Sequence, residues 1–131
     1  MRSKTIKIML VDDEEDYIFS LKTMFEKKFD NQYKVITAKN GMECLEKLRN
    51  NEIPDIILLD IMMPGMDGWQ VFDILKGTPV WKEIPVIFLT ARTDGFAEEA
   101  GEVIADDYIK KPVQIGELKE RIDTVLMRYE K

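Results

Sequence analysis

Apolar residues run along this chain in two alternating rhythms. Short, nearly unbroken stretches have the length and β-branched content of strands: "TIKIMLV" (Thr5 to Val11), "YKVITA" (Tyr33 to Ala38), "DIILLD" (Asp55 to Asp60), "IPVIFLT" (Ile84 to Thr90) and "ADDYIKK" (Ala105 to Lys111). Between them apolar residues recur at helical spacing. Ile18, Leu21, Met24, Phe25 and Phe29 form the first such stripe, and Leu45 and Leu48 point inward from Gly41 to Asn50. Phe72 and Leu75 do so from Trp69 to Lys76, and Ile115, Leu118, Ile122, Val125 and Leu126 share one face of the last helix. The interval from Asp94 to Val103 is a weaker helix, because Gly95 and Gly101 lie in it and each glycine costs about 1 kcal/mol against alanine. A strand–helix unit repeated five times predicts an α/β fold, with a parallel sheet, right-handed crossovers and helices on both faces.

One run carries the functional question. Ile56-Ile57-Leu58-Leu59 admits no polar residue, which predicts a strand covered on both sides. It ends at a single carboxylate, Asp60, followed by the turn-forming Pro64, Gly65 and Gly68. That places Asp60 at the carboxyl end of a central strand, the edge at which open α/β sheets bind ligands.

Composition narrows the chemistry. The chain has 131 residues, which favours a single domain over 1–131, and 45% hydrophobic with 34% charged residues is an ordinary globular balance. No linker, repeat or low-complexity tract breaks it. Cys44 is the one cysteine, so no disulfide framework forms within the chain, and a reducing cytosol is the expected compartment. The opening "MRSKTIKIMLVDDEED" is neither a signal peptide nor a membrane span, since its apolar run is short and stops at acids. A net charge of −6 without a basic stripe argues against nucleic-acid binding by this domain. There is no histidine, so the commonest general base and transition-metal ligand are both missing. Chemistry is left to carboxylates, hydroxyls and lysines.

Those groups fall at strand ends. The first strand ends at Asp12 and Asp13, and if it neighbours the third, three carboxylates with Asp60 meet at one edge. Crowded like charges raise one another's pKa unless a cation neutralises them. Oxygen ligands without histidine or cysteine select Mg²⁺, Mn²⁺ or Ca²⁺, and an Mg²⁺ held by a few carboxylates with open positions is typical of phosphoryl-transfer sites. Taken alone, Asp12 and Asp13 are equally consistent with helix caps or an acidic first turn. Capping is less natural for Asp60, which stands several positions before Pro64. Thr90 ends strand four, where a β-branched residue is common in any case. Lys110 and Lys111 end strand five. A lone lysine is usually solvated, but Pro112 holds Lys111 extended and so fixes its direction.

"IMLVDDEED", "PDIILLDIMMPGMDG", "PVIFLTA" and "ADDYIKKP", in this order, resemble the receiver domain of two-component response regulators, over about Lys4 to Arg128. "LLDIMMPGMDG" is the specific signal; "VDDEED" alone is weak. The resemblance implies a five-stranded (βα)5 flavodoxin-like sheet in the order 2-1-3-4-5, an order the patterning by itself does not supply. It implies Asp60 as phosphate acceptor, Asp12 and Asp13 as the acidic pair holding Mg²⁺ (Mn²⁺ able to substitute), and the Met62 backbone carbonyl as a further metal ligand. Thr90 matches the switch hydroxyl, Lys111 the phosphate-pairing lysine, Lys110 its variable neighbour, and Tyr108 the aromatic that follows the switch. The implied partner is a histidine kinase or histidine phosphotransfer protein, with an unknown output partner at the face of the fourth helix, fifth strand and fifth helix. Met62 and Arg92 match positions that border the attacking water and tune phosphoryl lifetime.

Two features depart from the family. Ile104 stands where glycine usually precedes "ADDY", and the segment from Thr90 to Lys111 is about one residue short against the common pattern. Both predict a short, frayed or displaced fourth helix. Two other functions compete with the switch. An Mg²⁺-dependent hydrolase of the haloacid-dehalogenase kind wants a second acid two residues after the nucleophile, where Met62 stands, and a cap domain for which 131 residues leave no room. A receiver acting as an unphosphorylated scaffold is the other. The end at Lys131 is equally that of a stand-alone receiver or of one cut from a longer regulator or hybrid kinase.

Overall fold

The structure, a computed structural model, describes residues 4–91 and 105–130. In chain order its elements are β1 (Ile6–Val11), α1 (Glu15–Lys28), β2 (Tyr33–Ala38), α2 (Gly41–Arg49), β3 (Ile56–Leu59), α3 (Gly68–Gly77), β4 (Val86–Thr90), β5 (Asp107–Lys110) and α4 (Ile115–Arg128). The last of these is the helix expected fifth from the pattern. The weak helix expected over Asp94 to Val103, the departure at Ile104, and Arg92 all lie outside the described residues. Among the described residues no helix is long and apolar enough to cross a membrane.

The strands form one parallel sheet in the order β2-β1-β3-β4-β5, the flavodoxin-like doubly wound arrangement. The order reverses at β1 and β3, so the two connections leave the sheet in opposite directions and open a crevice at its carboxyl edge. Every side chain of β3 is buried, at 2% exposure or less, so the apolar run is covered on both faces.

Alternate strand residues feed two cores. Ile8, Leu10, Leu58 and Ile87 meet Ile18, Leu21 and Phe25 of α1 and Leu118, Ile122 and Val125 of α4. Met9, Val11, Leu59 and Phe88 meet Cys44, Leu45 and Leu48 of α2 and Val71, Phe72 and Leu75 of α3. Met24 corrects the expected α1 stripe: it is 51% exposed. At 100° per residue it stands well off the line through Ile18, Leu21 and Phe25, beyond the width of the buried stripe.

Helix starts follow local chemistry. The Asn40 side chain accepts from the Glu43 amide at 2.8 Å, and Asp67 with Gln70 forms a capping box at α3. At α1 the N-cap is Glu14, whose side chain makes no capping bond. Asp12 and Asp13 lie ahead of this N-cap, and one Asp12 oxygen accepts from the Glu14 amide.

The C-terminal helix is tied to the sheet by Arg121, whose Nε and terminal nitrogen donate to the two Asp107 oxygens, each at 2.8 Å. Burial works to raise the Asp107 pKa, but the Arg121 bonds and the Tyr108 amide outweigh it and hold the carboxyl below its usual range. A carboxyl depressed in the folded state adds stability above its unfolded pKa and loses it as pH falls through the folded value. Asp107→Asn is therefore expected to lose about 1 kcal/mol at neutral pH, a figure already discounted for solvent screening of a partly exposed pair. Urea midpoints across pH check this: the gap to the parent chain should shrink towards acid.

Candidate functional site

Three backbone hydrogen bonds just past the strand ends bring the polar residues together. The Asp12 amide donates to the Ala38 carbonyl at 3.0 Å, Asp60 to Val11 at 3.0 Å, and Lys111 to Thr90 at 2.9 Å. Asp60 leaves the central strand flanked by Asp12 and Asp13 on one side and Thr90 and Lys111 on the other. A cleft of about 320 Å³ opens there, lined by Asp13, Glu14, Asp60, Met62, Thr90 and Lys111 among others. The predicted residues Asp12, Asp13, Asp60, Met62, Thr90 and Lys111 thus gather at one edge. Tyr108 stands apart. It is buried at 4% exposure, with its ring centroid 6.3 Å from that of Phe88 in the core under the sheet.

Charge in the cleft is unevenly matched. Lys111 Nζ donates to Asp12 Oδ2 at 2.6 Å and lies 3.9 Å from Asp60 Oδ2 and 4.0 Å from Glu14 Oε1. The other Asp12 oxygen accepts from the Glu14 amide at 2.9 Å, so Asp12 is bonded through both oxygens. Asp60 is not: its Oδ1 is buried without a hydrogen-bond partner among the described residues. Burial pushes the Asp60 pKa up and the Asp12 charge adds to this, while the Thr90 hydroxyl, Lys111 and the Ile61 amide pull it down; the net direction is upward. A buried acceptor left unsatisfied at a cleft mouth is suited to a group that enters from solvent.

A divalent cation fits that description. Asp12, Asp13 and Asp60 each offer an oxygen, and these oxygens lie within 4.8 Å of one another. The donor set is all oxygen, which matches Mg²⁺ or Mn²⁺ over softer metals. The orphaned Asp60 oxygen supplies an unused ligand.

The loop after Asp60 explains its glycines. Gly65 has φ +76°, a left-handed conformation that side chains rarely adopt. Gly68 opens α3 and donates to the Ile61 carbonyl at 2.8 Å. A Cβ there would lie 2.3 Å from the Asp60 carbonyl oxygen and 2.7 Å from Ile61 Cα, both rigid backbone. Gly68→Ala is expected to destabilise the fold by about 3 kcal/mol and to displace Asp60, although alanine is the better helix former elsewhere. A urea titration reads the first effect; an unchanged midpoint would show that α3 shifts freely.

Patterning missed two residues of the site. Glu14 lines the cleft, and Tyr17 places its ring under Lys111, with Nζ 4.2 Å from the centroid. Burial, then the charges of Asp12, Asp60 and Glu14, push the Tyr17 phenol up to about 12, so it stays neutral. The available signal was position: Tyr17 lies four residues before Leu21, at the margin of the buried stripe and one turn from the acids.

Comparison with known proteins agrees with this geometry. Residues 8–123 match the family model described as the response regulator receiver domain. The alkaline phosphatase synthesis transcriptional regulatory protein PhoP of Bacillus subtilis is 38% identical over 125 residues. That alignment covers 95% of this chain and 50% of PhoP, so the chain spans half that relative's length. Among solved structures, the receiver domain of Francisella response regulator 1452 superposes with a TM-score of 0.83 at 31% identity, covering 96% of this chain and all of that one. The N-terminal domain of a response regulator receiver protein from Methanoculleus marisnigri gives 0.72 at 39% identity, covering 94% of this chain and 98% of its own. Fold, site and relatives lead to one conclusion: this chain belongs to the response regulator receiver domain family, the switch modules of two-component signalling.

Proposed function

We propose that Asp60 accepts a phosphoryl group from a phosphohistidine on a histidine kinase or histidine phosphotransfer protein. The observation that carries this is the buried, unpartnered Asp60 oxygen at the end of the central strand, with a lysine and two further acids around it. An Asp60 oxygen attacks phosphorus and the P–N bond breaks. The imidazole nitrogen keeps the bonding pair and later takes a proton, and Asp60 becomes an acyl phosphate. Mg²⁺ held by Asp12, Asp13, Asp60 and the Met62 carbonyl would neutralise charge on the transferring group, with Mn²⁺ able to replace it. Lys111 contributes a second positive charge to the phosphoryl oxygens.

The product is a dianion where a monoanion stood. Thr90, at the end of the neighbouring strand, donates its hydroxyl to it, and Tyr108 repacks as Thr90 moves. The face that includes β5 and α4 then presents a changed surface to an output partner. The chain acts as one receiver module over 1–131 in a reducing cytosol, as a switch with no separate substrate to turn over. The test is intact-mass measurement after incubation with a small acyl-phosphate donor, with and without Mg²⁺. One added phosphoryl group that requires both Mg²⁺ and Asp60 is expected; no gain in the parent chain with Mg²⁺ overturns the reading.

A further inference from the structure

We infer that Tyr17 is a positioning residue for phosphoryl transfer, its ring holding the Lys111 ammonium at the mouth of the cleft. The inference rests on the phosphoacceptor reading of Asp60. Lys111 is a side chain only 12% exposed whose cation faces Asp12 at 2.6 Å, Asp60 at 3.9 Å, Glu14 at 4.0 Å and the Tyr17 ring at 4.2 Å. Three of those four neighbours are anions. A cation entering the cleft competes with Lys111 for the same carboxylates, Asp12 first among them, and a phosphoryl group competes with those carboxylates for Lys111, so either loosens the contact that now holds the lysine. The ring is the neighbour that is unaffected. A π face attracts an ammonium without neutralising it, so the full charge remains available to an incoming phosphoryl oxygen. Tyr17 is well placed for this: it sits on the first turn of α1, and its inner side packs against the core shared by α1 and α4.

That packing also defines the alternative, in which Tyr17 only fills space. Three variants separate the two roles: Tyr17→Phe keeps the ring, Tyr17→Leu removes it, and Tyr17→Leu with Lys111→Met asks whether the ring acts through the lysine. In Tyr17→Leu the rate of Asp60 acyl-phosphate formation from acetyl phosphate with Mg²⁺ is expected to fall about five-fold, and Tyr17→Phe to stay near the parent rate. In the Lys111→Met background the leucine change should slow transfer no further. A reading that needs neither metal nor donor accompanies these: the Lys111 methylene protons should lie upfield in the parent and Tyr17→Phe spectra and return to ordinary positions in Tyr17→Leu. An unslowed Tyr17→Leu, or equal slowing with and without Lys111, overturns this inference alone. A parent chain that takes up no phosphoryl group overturns the phosphoacceptor reading and this inference with it.

Discussion

Asp60→Asn takes up no phosphoryl group from an acyl-phosphate donor, and in chelator it unfolds at a higher urea concentration than the parent chain. The two outcomes have one origin. The nucleophile is a carboxylate oxygen, which an amide lacks, so transfer is abolished. The same carboxylate is buried with one oxygen unpaired and its pKa pushed upward by burial and by Asp12. A carboxyl raised in the folded state opposes folding at every pH above its folded value. That penalty disappears as the pH falls to the unfolded pKa, because the group is then protonated in both states. Removing the charge should stabilise by about 1–2 kcal/mol at neutral pH, the scale of one unsatisfied buried acceptor. The advantage should narrow towards acid. Saturating Mg²⁺ should narrow it as well, since the parent binds the cation more tightly and gains the linkage free energy. A variant less stable than its parent in chelator at neutral pH would contradict this account of the orphaned oxygen.

Lys111→Met has the next largest expected effect, in the opposite direction. The Lys111–Asp12 pair is 2.6 Å long with side chains 12% and 1% exposed. Breaking a buried pair from one side strands the other charge, which costs about 3 kcal/mol at the low end of such losses. Here the stranded charge is Asp12, already crowded by Asp60 and Asp13. The destabilisation should therefore be large in chelator and much smaller in Mg²⁺, since a divalent cation re-neutralises the same three carboxylates. Equal losses in the two conditions would mean that Lys111 matters for its packing and not for its charge. Phosphoryl uptake in Mg²⁺ should be slowed.

Some of this was legible before any coordinates. The β3 run without a polar residue announced a strand covered on both sides, and the turn residues after Asp60 announced a loop. Periodicity named most inward residues of α1, α2, α3 and α4, but it put Met24 on the buried stripe, because apolar character at near-helical spacing does not say how wide the stripe is. It passed over Tyr17, whose role depends on a lysine from the other end of the chain. Glycine at position 68 read as a turn former; its tighter reason, the 2.3 Å approach to the Asp60 carbonyl oxygen, is a contact between segments.

For the described residues, the sequence by itself determined the elements, their alternation and the chemical types available, because side-chain periodicity and turn preferences act over a few residues. The tertiary structure decided which of those types meet. Asp12 and Lys111 are 99 positions apart, and their 2.6 Å contact exists only because β1, β3, β4 and β5 align in parallel and end at one edge. The unpaired oxygen of Asp60 is likewise a product of that convergence: burial and charge at a point depend on everything packed around it, and no local stretch of chain encodes them alone.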